Sequence, residues 1–259
     1  MKLIFLGTGT SFGIPQIGCS CRVCRSTDPR DRRTRVGAVV ESETGQRLLI
    51  DTPPELRLQL IASGIDNVDA VVFTHEHADH TNGIDDVRAF SVRHHAPIEF
   101  YGPADTLARI ARRFDYIFDD RIQPLPGTSK PEGTMRPVAA GETIDIAGMD
   151  VTAVPVPHGP GTVFAYRIGK LGYVTDAGSL PHAAVEAFRG VSVLVLNALF
   201  HGPHPMHLSI PDAVRTAGEI GAARTYLTHL THENLHAELE AELPPGVEPA
   251  YDGLVVTVG

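Results

Sequence analysis

The chain has 259 residues, 42% of them hydrophobic, a formal net charge of -9 and a pI near 5.8. That length is enough to bury a sizeable core, and the hydrophobic share is that of a globular rather than a disordered chain. The acidic balance disfavours a general nucleic-acid surface. No apolar run reaches the length of a membrane span. The apolar start at residues 3–6 is too short for a signal peptide, so a cytoplasmic protein is expected.

In chain order, residues 2–6 are predicted as a strand ending in Gly7-Thr8-Gly9-Thr10-Ser11-Phe12-Gly13. The spacing is G-x-G-x-x-x-G and Pro15 interrupts any helix, which favours a tight glycine turn over a dinucleotide loop. The three cysteines of the chain follow together, at Cys19, Cys21 and Cys24. Three cannot pair completely, and in a cytosolic chain such a cluster reads as metal-binding. Residues 36–41 and 46–50 form a hairpin around Thr44-Gly45. A helix over 54–63 is opened by prolines and closed by Gly64. Strands at 69–73 and 98–101 precede a helix over 104–117. Residues 119–142, rich in Pro and Gly, are expected to be a long surface loop, a lid or a contact segment. Strands follow at 143–147, 149–155, 162–168 and 171–175, a helix at 181–189 and a buried strand at 191–196. A helix at 211–220, a strand at 223–228, a helix at 232–242 and a strand at 253–258 complete the chain. No linker divides it, so residues 1–259 are expected to form one α/β domain, two sheets between helical layers.

The densest chemistry is His75-Glu76-His77-Ala78-Asp79-His80, directly after the apolar run 70–73. A strand ending in a turn can aim three imidazoles and a carboxylate into one cavity. Imidazole suits zinc, iron and manganese, and the carboxylate can join a second ion. Glu76 is expected to point away. Four more apolar runs end in a ligand-type residue: Asp51 after 48–50, His158 after 151–157, Asp176 after 171–175 and His229 after 225–228. The carboxyl ends of strands are where an α/β protein places its chemistry.

With the Leu6-Gly7-Thr8-Gly9 start, this set resembles the metallo-β-lactamase superfamily over nearly the whole chain. The resemblance implies a four-layer αβ/βα sandwich. It implies one divalent ion on His75, His77 and His158, a second on Asp79, His80 and His229, and Asp176 bridging the two. Zinc or manganese would serve, with Asp51 steadying the ligand turns. Gly18-Cys19-Ser20-Cys21-Arg22-Val23-Cys24 and the closing Tyr251-Asp252-Gly253 look like the PhnP-type cyclic phosphodiesterases. That likeness implies a structural zinc on Cys19, Cys21, Cys24 and His232, the last drawn from the final helix. It also implies that His207, before a helix, is an active-site acid toward the leaving oxygen, with His201 and His204 as competitors. Asp79 and His207 are thus the expected catalytic residues. Arg33 and Arg35 can meet a phosphate or be structural. His94, His95, His182 and His236 are expected on the surface.

The expected activity is metal-dependent phosphodiester hydrolysis of a small cyclic phosphate or nucleotide-like ester, by a hydroxide shared between two ions. The expected partner is that small phosphodiester, with no membrane, nucleic acid disfavoured and a homodimer left open. Asp51-Thr52-Pro53-Pro54 departs from the usual Asp-x-Gly and leaves the particular substrate open. Alternatives are a tRNA-processing-type hydrolase, for which no basic arm is visible, a pyrroloquinoline quinone B-type relative, and a non-catalytic metal-binding or sensor protein. A β-lactamase is disfavoured, because the second-ion set uses Asp79 and His80 with Asp176 rather than a cysteine.

Overall fold

The computed structural model describes residues 1–259. Fourteen strands make two seven-stranded sheets. The first half supplies β1 (Lys2–Gly7), β2 (Gly37–Glu41), β3 (Arg47–Ile50), β4 (Ala70–Val72), β5 (Ile98–Gly102) and β6 (Gly133–Pro137). The second half supplies β7 (Thr143–Ile146), β8 (Met149–His158), β9 (Gly161–Ile168), β10 (Leu171–Val174), β11 (Val193–Asn197), β12 (Arg224–Thr228) and β13 (Val247–Pro249). The last strand, β14 (Val255–Thr257), returns to the first sheet and pairs antiparallel with β1, Leu3 opposite Val256. The sheet orders are β14-β1-β2-β3-β4-β5-β6 and β13-β12-β11-β10-β9-β8-β7.

The helices are α1 (Leu56–Ala62), α2 (Ala78–Thr81), α3 (Arg88–His94), α4 (Ala104–Arg113), α5 (Asp115–Phe118), α6 (His182–Phe188), α7 (Ile210–Ile220) and α8 (His236–Glu242). Leu3, Phe5, Val72, Tyr166, Tyr173 and Val195 belong to one buried cluster between the sheets. Leu49, Phe73 and Phe100 pack outward with Leu56, Phe90 and Leu107 of the helices. Val174, Leu194 and Leu196 do the same with Val185, Ala213 and Leu239. The layers are therefore helix, sheet, sheet, helix, the αβ/βα sandwich expected. The central strands β4, β10 and β11 are apolar because both their faces are covered.

Several elements differ from the sequence reading. The expected loop at 119–142 contains β6, an edge strand parallel to β5, with Ile98 opposite Gly133. It escapes the period-2 pattern because none of its five residues is buried. Gly133 has a packing reason: a Cβ there would lie 2.3 Å from the Phe100 ring. The short edge strand β13 was not expected at all. The helix expected over 104–117 breaks at Phe114, whose φ of -125° and ψ of 47° leave the helical region. β8 runs on to His158, and the helix expected from 232 begins only at His236.

The chain's two ends are tied at Asp252. This half-buried carboxylate accepts from the Thr34 amide at 2.7 Å, the Thr34 hydroxyl at 2.6 Å and the Thr8 hydroxyl at 2.8 Å. Burial outweighs those bonds and pushes its pKa up to about 6. A raised carboxyl pKa means the folded state binds the proton more tightly than the unfolded one. The stabilisation is therefore complete below the unfolded value near 4 and is lost as pH rises through about 6. Chemical denaturation at pH 4 to 7 should show wild type losing about 3 kcal/mol relative to Asp252→Asn across that window. A pH-independent difference would contradict the assignment.

Candidate metal centre

The site is built at the carboxyl ends of β3, β4, β8, β10 and β12, where Asp51, His75, His158, Asp176 and His229 emerge. Three of these turn sharply. Asp51, Asp176 and His229 have φ of 61°, 60° and 60°, in the left-handed region. Asp and His visit that region more readily than most residues, but each visit still costs about 1–3 kcal/mol. The surroundings hold the turns. The Ala177 amide donates to Asn197 Oδ1 at 2.8 Å and Asn197 Nδ2 returns to the Ala177 carbonyl at 3.0 Å. The Leu230 amide bonds the Thr8 carbonyl at 3.0 Å, beside His229.

Three imidazoles are oriented through Nδ1. That atom of His75 lies 2.9 Å from Thr74 Oγ1, that of His80 lies 2.7 Å from Asp51 Oδ2, and that of His158 lies 2.5 Å from the Asp176 carbonyl. Asp51 in turn accepts from the Thr74 amide and hydroxyl, both at 2.8 Å. This leaves Nε2 of His75, His80 and His158, and both nitrogens of His229, buried without a hydrogen-bond partner. Nε2 of His75, His80 and His229 lies 3.8, 3.3 and 3.5 Å from the carboxylate oxygens of Asp176. Asp79 Oδ2 lies 3.6 Å from His80 Nε2.

Two sets of ligand atoms can each hold a cation: His75, His77, His158 and Asp176 in one, Asp79, His80 and His229 in the other. Unpartnered imidazole nitrogens converging on a buried carboxylate are the donor set that divalent zinc or manganese takes. Burial opposes charge on His75, His80, Asp176 and His229. Even so, His80 is held well above its usual range by Asp176 and Asp51, and Asp176 well below its own by His229 and His80.

A second cluster lies outside this one. The Sγ atoms of Cys19, Cys21 and Cys24 are 3.3, 3.7 and 3.8 Å from His232 Nδ1, and no disulfide joins them. Ligands about 2.0–2.3 Å from a tetrahedral zinc lie about 3.6 Å from one another, which matches this spacing. His232 belongs to the irregular stretch ahead of α8 and not, as expected, to the last helix.

Some candidates are elsewhere. Arg33 has no exposed surface, donates to the Asn234 carbonyl at 3.0 Å and faces Asp31 at 3.5 Å, so it meets no phosphate. Arg35 pairs with Glu55 at 2.7 Å. His236 was expected on the surface but is 1% exposed, its amide donating to Asp31 at 2.7 Å. His201 pairs with Glu242 at the surface, away from Asp176. Glu76 points off toward Arg109, as expected. His207 lies against the centre, its ring stacked 4.8 Å from that of His229 and edge-on to that of His158 at 5.0 Å. The sequence reading missed Thr74 and Asn197, although each adjoins a strand end.

The beta-lactamase superfamily domain matches residues 46–230. A crystal structure described as a new diphosphatase from the PhnP family is 39% identical, covering 99% of this chain and 97% of that one, with a TM-score of 0.90. An octanoyltransferase of Porphyromonas gingivalis is 38% identical over 98% of this chain and 51% of its own length. Coenzyme PQQ synthesis protein B of Rhodopseudomonas palustris is 29% identical over 61% of this chain and 53% of its own length. The chain thus spans about half the length of the curated relatives it matches. Sequence, fold and site agree that the chain belongs to the beta-lactamase superfamily and, within it, to the PhnP family.

Proposed function

We propose that this superfamily hydrolase is a metal-dependent phosphoric diester hydrolase acting on a small cyclic phosphate or nucleotide-like phosphodiester. The observation that carries the reading is the ring of buried, unpartnered imidazole nitrogens around Asp176. In it, His75, His77 and His158 would hold one divalent cation and Asp79, His80 and His229 a second, with the Asp176 carboxylate facing both sets. When bound, two such cations acidify a water and offset negative charge on phosphate oxygens. Cys19, Cys21, Cys24 and His232 would hold a zinc with a structural role, since Cys₃His is a closed set.

The chain's own part is orientation and proton handling. Thr74 and Asp51 fix the rings of His75 and His80, so the ligand atoms are in place before substrate arrives. His207 Nδ1 has no protein partner. Burial, then the neighbouring His229, push its pKa down to about 3. An arriving phosphate anion favours the protonated ring, which then delivers its proton to the departing oxygen. A second reading, cleavage of a diphosphate linkage, is favoured by the 39% identical diphosphatase. It uses the same groups, because a departing phosphate oxygen occupies the same place. No cysteine or lysine lines the cleft around His207 and His229, so octanoyl transfer is not assigned to this segment.

The test is a panel of cyclic nucleotides, cyclic ribose phosphate, a nitrophenyl phosphodiester and organic diphosphates, assayed on the metal-loaded chain. Asp176→Ala should abolish whichever activity appears. Loss of His207 should cost about 10²–10⁴-fold in kcat/KM on substrates with basic leaving groups and much less on the nitrophenyl ester. Equal losses on both would sink the acid role.

Two metal measurements accompany it. Asp51→Asn should weaken catalytic-metal affinity about 10–100-fold in a chelator competition, since His80 loses its orienting acceptor. Cys24→Ser should remove one zinc per chain and lower Tm while leaving the other cations bound, because binding energy at such a site is folding energy. Unchanged metal content in Cys24→Ser would count against the zinc assignment.

A further inference from the structure

Among the histidines of the two cation sets, His77 alone is exposed. The rings of His75, His80 and His158 take their direction from Thr74, Asp51 and the Asp176 carbonyl. The ring of His77 makes no hydrogen bond within the protein and meets those of His75 and His158 edge-on, at 4.5 and 5.2 Å. Neither burial nor a bond to Nδ1 locks it, so its direction depends on the backbone beneath. That backbone is extended, with φ of -61° and ψ of 151°, directly before the short helix α2. The His77 carbonyl accepts from the His80 amide at 3.1 Å and from the Thr81 hydroxyl at 2.9 Å.

The next support comes from α4. Thr106, Arg109 and Arg113 are spaced i, i+3, i+7, so they share one face of that helix. Arg113 Nη1 donates to the Glu76 carbonyl at 3.0 Å and to Thr81 Oγ1 at 3.1 Å. Thr81 in turn donates to the His77 carbonyl. One guanidinium thus braces the peptide groups before and after His77. Arg109 Nη1 lies 3.0 Å from Glu76 Oε1, and Thr106 Oγ1 donates to Glu76 Oε2 at 3.4 Å. The Glu76 side chain, directed away from the centre, therefore ties the same turn to α4. Exposed ion pairs add little to folding stability. A bond that fixes a ligand from behind acts on metal affinity instead.

We propose that Arg113 is a positioning residue for His77, so that α4 sets the affinity of the His75, His77 and His158 set and leaves the Asp79, His80 and His229 set alone. The proposal rests on the two-cation reading of the cluster and adds which set is adjustable from outside. Chelator competition is run on zinc-loaded wild type, Arg113→Ala, Arg113→Lys and Arg112→Ala. The last removes the same charge from an exposed neighbour. One of the two cluster ions should bind about tenfold more weakly in Arg113→Ala, by loss of an outer-layer partner, while the other stays near wild type. Arg113→Lys should recover most of the loss, because an ammonium can donate to both acceptors. Arg112→Ala should match wild type, and Tm should hold in all four. Equal weakening of both ions, or the same loss in Arg112→Ala, overturns the assignment. Imidazole NMR of the metal-free chain reads His77 with no ion present. Its ring signals should move in Arg113→Ala while those of His80 hold, and unmoved His77 signals overturn the positioning role. If wild type takes one cluster ion or none, the two-cation reading fails by itself, and the NMR comparison still decides Arg113.

Discussion

Burying imidazole without giving every nitrogen a partner is the constraint around which this protein is arranged. His75, His80, His158 and His229 are all buried, and each keeps Nε2 unpartnered. A buried polar atom left unmet costs about 1–3 kcal/mol. Four in one cavity, together with three left-handed turns, make a centre that opposes folding. Divalent cations taken by this donor set would reverse that balance, since binding only the folded state adds directly to its stability. The sandwich supplies what the site cannot supply for itself. Two sheets packed through Phe5, Tyr166 and Tyr173 bring the carboxyl ends of β3, β4, β8, β10 and β12 into one line.

The same geometry explains what could be read from the sequence. The His75–His80 run follows β4, a short strand buried on both faces, so strand and ligand turn are adjacent in the chain and visible together. Asp51, His158, Asp176 and His229 are visible for the same reason. The left-handed φ of three of them is not, because backbone sign leaves no trace in hydrophobic period. β6 was missed because an exposed edge strand of Gly133, Thr134, Met135, Arg136 and Pro137 carries no alternation. Arg33 and His236 were misjudged for a different reason. Polar residues are expected outside, yet here they are buried together with Asp31 and Asn234. Only tertiary partners separated by about two hundred positions make that burial tolerable.

Arg113 shows the opposite error of scale. As one charge on an exposed helix face it carries no motif, and its place matters only once the Glu76 carbonyl and Thr81 are brought beside it. Exposed charges scattered over a helix contribute little. One whose bonds reach the backbone on either side of His77 is a different case, because it bears on where that ring points.

Residues 8–33 and the imidazole cluster are linked through one irregular segment. After β12 the chain makes the left-handed turn at His229 and has no helix until His236. Regular hydrogen bonding cannot hold that stretch, so other parts of the chain do. The Leu230 amide donates to Thr8, His232 faces the three cysteines, the Asn234 carbonyl accepts from Arg33 and the His236 amide donates to Asp31. Every one of those partners lies between residues 8 and 33. The cysteine cluster therefore acts where a helix would normally act, fixing a strained turn from outside. A zinc bound there would need no contact with substrate to affect the imidazole cluster: it would set how firmly His229 is held, three residues away along the chain.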